Sequence, residues 1–143
     1  MRQINQAGID LIKQFEGCVL DAYLDSVSIP SIAYGHIEGV QMGDSCTQEQ
    51  ADAWLASDIQ HTATAVDDAI AVHISDNQFA ALVCLSYNIG ITAFKNSTLL
   101  KLLNEGNVDD ACLQFVRWDR AGGLEVQGLL NRRIAEQALF NES

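Results

Sequence analysis

Three side chains near the start of the chain are of the types that sugar chemistry uses. Glu16 stands where an apolar helical pattern gives way to Gly17, Asp25 follows nine residues later in a Tyr-Leu-Asp-Ser turn, and Ser31 comes six after that. Glycoside hydrolysis needs one carboxylic acid to protonate the leaving oxygen and a second carboxylate to activate water or to attack. Glu16 follows Phe15 at a helix end, so partial burial is expected, and burial beside apolar groups is what lets an acid keep its proton. Asp25 lies in a polar turn with Ser26. The same three residues also fit an ordinary polar loop, and a Glu and an Asp nine apart occur in many proteins. The rest of the chain has to decide.

Other chemistries lack their parts. There is no Gly-x-Ser-x-Gly elbow, no phosphate-binding loop and no His-Glu-x-x-His helix, so esterase, kinase and zinc-protease readings have no support. His61 and His73 fall at polar or boundary positions and read as surface residues. The four cysteines, Cys18, Cys46, Cys84 and Cys112, are widely spaced and include no Cys-x-x-Cys pair. They read as reduced thiols, Cys84 and Cys112 within apolar helices, with a Cys18–Cys46 bridge left open. No metal and no cofactor is expected.

The 143 residues suit one domain, with 19 acidic against 8 basic residues and a net charge of -11. Such a surface repels nucleic acid and anionic lipid, so no nucleic-acid partner is expected. No apolar run approaches the roughly 18 residues that span a bilayer. The N-terminal MRQINQAGIDLIKQFEG is amphipathic and lacks the apolar stretch of a signal peptide, which predicts a cytosolic product.

These residues must be positioned by a mostly helical chain. Gly8, Leu11, Ile12 and Phe15 share one stripe of a helix over 5–15, with Gly17 as its stop. From Cys18 to Gly43 the helical period fails, and Val, Ile, Tyr and Ser between Pro30, Gly35, Gly39 and Gly43 suggest a small hairpin-like sheet. Thr47 and Gln50 form a capping-box signature that opens a long helix to about Ile70. Its stripe (Ala51, Trp54, Leu55, Ile59, Ala63, Val66, Ile70) is interrupted by Asp58, either an edge carboxylate reaching solvent or a buried partner for a cation. Ser75 and Gln78 cap a strongly apolar helix ending at Gly90. A helix over about 97–104 closes at Gly106, and Asn107 is placed to cap the next, with Ala111, Cys112, Phe115 and Val116 as its core face. Gly122-Gly123 breaks the chain before a last helix from about Leu129 to Phe140, whose apolar side is read as Ile134, Ala135, Ala138 and Leu139.

In register along nearly the whole chain, GIDLIKQFEG, AYLDSV, SIAYGH, QFAALVCLSYNIG, FKNSTLLKLLNEG, FVRWDRAGG and GLLNRRIAEQALF resemble the phage-type lysozymes, or endolysins, of glycoside hydrolase family 24. The resemblance implies an α+β, mostly helical, two-lobed fold with the substrate in the cleft between lobes. The small β lobe would span about 17–46 and the connecting helix about 47–70. The helical lobe would span about 71–143 together with the helix 5–15, all in one domain. It implies a muramidase that cleaves the β-1,4 bond between N-acetylmuramic acid and N-acetylglucosamine in peptidoglycan with inversion. The family's Glu, Asp and Thr fall on Glu16 as general acid and on Asp25 and Ser31 as holders of the attacking water. Serine keeps the hydroxyl but loses the methyl that stiffens its first torsion, so reduced positioning is expected there. Pro30 stands where an aromatic residue is usual, and Ala33 where glycine is common.

The same register implies a His36–Asp58 pair linking the lobes, and places Arg132, better than Arg133, against Glu16. Ile37, Tyr87, Ser97 and Gln114 match cleft-lining positions. A cation beside Glu16 favours its ionised form and burial its protonated form, so the two oppose. The expected protein is a monomeric endolysin that collects in the host cytoplasm and reaches the wall when a holin opens the membrane. Two alternatives are a catalytically inactive wall-binding or structural relative, which Ser31 and the acidic surface favour, and a lytic transglycosylase, which the presence of Asp25 opposes.

Overall fold

The computed structural model describes residues 2–25, 27–121 and 124–142. Its first helix, α1 (Gln6–Glu16), is capped by Asn5, whose side chain accepts from the Gly8 amide, and ends where Gly17 takes φ 65°. Gly8 sits where α1 meets the central helix: a Cβ there would lie 2.9 Å from the Ala80 methyl. Strands β1 (Val19–Leu24) and β2 (Pro30–Ala33) then pair antiparallel, with Tyr23 opposite Ser31 and Leu24 opposite Pro30. Pro30 opens its strand, where its missing N–H is tolerated. The segment before the long helix joins this sheet through an Asp21–Ser45 bridge and a bond from the Cys46 amide to the Leu20 carbonyl (2.9 Å).

Helix α2 (Gln48–Ala69) is opened by Thr47, whose hydroxyl accepts from the Gln50 amide, and buries Ala51, Leu55, Ile59, Ala63 and Val66 on the expected stripe. Helix α3 (Asp76–Ile89) starts with both halves of the Ser75–Gln78 capping box and buries every residue from Phe79 to Ser86. A helix apolar on all sides belongs in the middle, and α3 packs against α1, α2 and the last helix. The helices α4 (Ile91–Lys95), α5 (Thr98–Asn104) and α6 (Val108–Leu113), a 3-10 turn at Phe115–Arg117 and the short antiparallel pair β3 (Arg120–Ala121) and β4 (Leu124–Glu125) follow, and α7 (Gln127–Asn141) closes the chain. Mostly helical with a small antiparallel sheet, this is the expected fold class. Ser26 and the expected Gly122-Gly123 break lie outside the described residues.

Two expectations are corrected. Asn107 stands at the head of α6, but its side chain makes no capping bond and its ψ of 68° is not the extended geometry of a side-chain cap. Helix α7 begins two residues earlier than expected and is turned differently. Its buried face is Arg132, Arg133, Glu136, Leu139 and Phe140, while Ile134 is half exposed and Ala138 is exposed. Periodicity of apolar residues misplaces such a helix because the charged residues facing inward neutralise one another there.

Candidate active site

A cleft of about 900 Å³ opens between the β1–β2 hairpin, the turn after β2, and helices α2 and α3. Of the residues singled out in the sequence, Glu16, Asp25, Ser31, His36, Ile37, Asp58 and Tyr87 line it. Ser97 and Gln114 do not. Ser97 is buried at the head of α5, where its hydroxyl donates to the Phe94 carbonyl (2.6 Å) and accepts from the Leu100 amide (3.1 Å), so its bonding is used in capping. Gln114 follows the last turn of α6.

Glu16 is the last residue of α1, so it projects from a helix end into the cleft. Arg132 of α7 donates through Nη1 to its Oε2 at 2.5 Å, with the guanidinium also lying over the Phe15 ring. The other oxygen, Oε1, lies against Gly35, where an added Cβ would come within 3.2 Å. Gly35 also has φ 84°, so both its backbone angle and its missing side chain are needed for Glu16 to sit where it does. The Ile32 and His36 amides and carbonyls bond reciprocally (2.9 and 2.8 Å) to close this turn. Ala33, within it, holds φ 58°, a left-handed angle that glycine takes more easily and that alanine adopts here while fully buried.

Asp25 sits where β1 turns toward β2. Its Oδ1 accepts from both the Val27 and Ile29 amides at 2.9 Å, and its own amide donates to the Ile29 carbonyl (3.0 Å). The aspartate therefore builds the loop that carries it, and only Oδ2 is left for the cleft. Ser31 is buried on β2, with its Oγ donating to the Ile29 carbonyl (3.1 Å). A hydroxyl that gives its proton to a carbonyl keeps its lone pairs for a donor.

His36 is gripped by α2 from two positions four residues apart. Its Nδ1 is 2.8 Å from Asp58 Oδ2, and its ring stacks on Trp54 with centroids 4.6 Å apart and planes within 6°. Of the two readings of Asp58, the geometry matches the partnered one. Tyr87 lines the cleft, its hydroxyl donating to the Tyr34 carbonyl (2.9 Å). Burial, and after it the negative charges of Glu16 and Asp58, push its phenol far above the ordinary range, and burial and Glu16 push Tyr23 up as well.

Several lining residues escaped the sequence reading. Gly35 and Tyr23 border the acid, Asn88 forms part of the wall, and His61, exposed as expected, faces the cleft rather than open surface. Gly35 had a signal in its Tyr-Gly-His setting. His61 had one only in lying three residues after Asp58, a helical spacing that shares a face. Among the described residues, no group of three or more His, Cys, Asp and Glu is arranged to hold a metal ion.

The family model for phage lysozyme matches residues 13–136. The chain is 46% identical over 142 residues to the endolysin of Bacillus phage PZA, covering 97% of this chain but 55% of that protein, so it spans about half that relative's length. To the endolysin of Acyrthosiphon pisum secondary endosymbiont phage 1 it is 40% identical over 144 residues, covering 98% and 99% of the two chains. Among solved structures it is similar to the muramidase domain of SpmX from Asticaccaulis excentricus (TM-score 0.93, 35% identity, all of both chains). It is also similar to the endolysin from Escherichia coli O157:H7 phage FAHEc1 (TM-score 0.88, 41% identity, 99% and 94% covered).

Proposed function

The chain belongs to the phage lysozyme family, and we propose that its cleft hydrolyses the β-1,4 bond between N-acetylmuramic acid and N-acetylglucosamine in peptidoglycan, with inversion. The observation that carries this reading is the division of labour between two carboxylates in one cleft, Glu16 backed by a buried cation and Asp25 held by two backbone amides. Glu16 protonates the leaving glycosidic oxygen as the bond to the anomeric carbon breaks. A water on the opposite face of the ring gives its proton to Asp25 Oδ2 while its oxygen bonds to that carbon. Ser31 Oγ, its own proton directed at Ile29, accepts from the same water and holds it in line. The cycle leaves Glu16 ionised and Asp25 protonated, and exchange with solvent through the open cleft restores both.

His36 and Asp58 take no part in proton transfer on this reading. With Trp54 they tie the turn that carries Gly35 to α2, and so hold one wall of the cleft at a set distance from the other. Ile37 and Tyr87 contact the sugar. The protein acts as a monomer on the wall of the phage's host, after collecting in the cytoplasm and passing a membrane opened by a holin. No helix among the described residues is long and apolar enough to cross a membrane.

The test is clearing of permeabilised Gram-negative cells by the natural protein and by Glu16→Gln. Loss of clearing in the variant alone, with an α-configured first product by NMR, supports the reading. Clearing by both removes Glu16 as acid, clearing by neither favours the inactive wall-binding relative, and a retained β product removes the water-activating role of Asp25.

A further inference from the structure

Behind the cleft, α7 carries a buried charge network that the reaction above does not use. Glu136 is fully buried, and each of its oxygens accepts from a different guanidinium: Oε2 from Arg132 Nε at 3.1 Å and Oε1 from Arg133 Nη1 at 2.7 Å. Guanidiniums only donate, so this is the geometry of an ionised carboxylate serving two cations. Arg132 spends Nη1 on Glu16 and Nη2 on the Cys84 carbonyl (3.1 Å). Arg133, also fully buried, donates through Nη2 to Asn88 Oδ1, while its Nε is buried with no partner.

With Glu16 ionised, as the reaction leaves it, the charges of Glu16, Arg132, Glu136 and Arg133 sum to zero. Burial lowers the pKa of Arg133 and raises that of Glu136, the cost of carrying charge in a dry place. Burial works against Arg132 too, but the Glu16 and Glu136 carboxylates beside it outweigh burial and hold its guanidinium above the ordinary range. Among the described residues, Glu136 is the carboxylate that pairs with the second cation, Arg133. Without it, Arg133 would add an unpaired positive charge beside Arg132, the cation that faces Glu16, in a poorly screened interior.

We propose that Glu136 is a positioning residue for the reaction: it grips Arg132 at Nε and neutralises Arg133, fixing both the place and the net charge of the cation behind Glu16. It thereby fixes the electrostatic setting in which Glu16 works. The inference rests on the reading of Glu16 as the acid. The groups that face Glu16 are Arg132 from α7, Tyr87 from α3, and Tyr23 with Asp25 beyond it on the hairpin. Those that face Glu136 are Arg132 and Arg133 on its own helix and Cys84 from α3, whose thiol burial pushes well up and keeps neutral. The two phenols are likewise uncharged across the working range, and the His36–Asp58 pair lies beyond Tyr87, unchanged by substitution on α7.

The experiment measures kcat against pH on solubilised peptidoglycan for the natural protein, Glu136→Gln, the double variant Arg133→Met with Glu136→Gln, and Glu16→Gln. The surplus charge in Glu136→Gln favours ionised Glu16, so the alkaline limb moves to lower pH by about one unit, a tenfold loss above the natural limb. The double variant removes one charge of each sign and returns the limb to within about 0.3 unit, which a merely structural role does not predict. A limb that stays put in Glu136→Gln while activity falls with the folded fraction overturns the proposal, as does a limb that moves to higher pH. If Glu136→Gln does not fold, Arg133→Met replaces it: the surplus negative charge moves the limb to higher pH, and a limb that stays put overturns the proposal. Hydrolysis by Glu16→Gln overturns the acid reading and this proposal with it, whereas a stationary limb beside an inactive Glu16→Gln overturns this proposal only.

Discussion

Asp25 serves the loop and the reaction with different oxygens, and Asp25→Asn separates the two. The amide oxygen of Asn can still accept from the Val27 and Ile29 amides, while the –NH2 group replaces the free Oδ2 and cannot take a proton from water. Each backbone bond to a charged, half-exposed Oδ1 contributes about 1 kcal/mol after discounting for solvent. Asp25→Ala therefore loses about 2 kcal/mol, a fall in Tm of about 4–8 °C for a chain of this size, and Asp25→Asn less than half of that. Loss of a general base slows hydrolysis about 10²–10⁴-fold, or about 2.7–5.4 kcal/mol of transition-state stabilisation. The two variants should thus differ in stability but be about equally inactive, with KM little changed in Asp25→Asn. Thermal melts and initial rates on solubilised peptidoglycan check both halves. Activity that tracks stability, with Asp25→Asn keeping more than a tenth of the natural rate, would refute the assignment.

Gly35→Ala forces a side chain onto a φ of 84° and brings its Cβ to 3.2 Å from Glu16 Oε1. It is expected to lower Tm by about 3–6 °C and to reduce kcat more than it raises KM. Equal activity in that variant would mean that Glu16 needs no close turn. Ser31→Ala removes the bond to Ile29 and the acceptor for water; it should lose about 1 kcal/mol in denaturant melts and at least tenfold in rate, while Ser31→Thr, with a stiffer torsion, should raise the rate. The net charge of -11 opposes approach to an anionic wall, so clearing should increase as salt rises from about 0.01 to 0.1 M and the screening length falls from about 30 to 10 Å. A steady decline with salt would contradict that electrostatic account.

Local signals made much of the frame legible. Thr47 and Ser75 each cap the helix that follows, as read, and Gly17 and Gly90 each end one, because caps and stops depend on a few neighbouring residues. Apolar period placed α2 and α3 within a residue or two. The same method misread α7, because a stripe of Arg132, Arg133 and Glu136 looks like a solvated face until Glu16, Asn88 and the Cys84 carbonyl are brought to it from α1 and α3.

By itself, then, the sequence determined the helical frame, the hairpin and the residue types in its turn, since these follow from spacing and local bonding. Tertiary structure decided which atoms tie Arg132 to Glu16, which oxygen of Asp25 remains free, that Gly35 makes room for Glu16, and that a charged face points inward. Each of those depends on groups 19 to 116 residues apart or on which atom of a side chain is already engaged, and neither is written in any local pattern. The trio of Glu16, Asp25 and Ser31 was visible from the first, and the resemblance already set Arg132 beside Glu16 and Asp58 beside His36; which atoms of each are engaged was not.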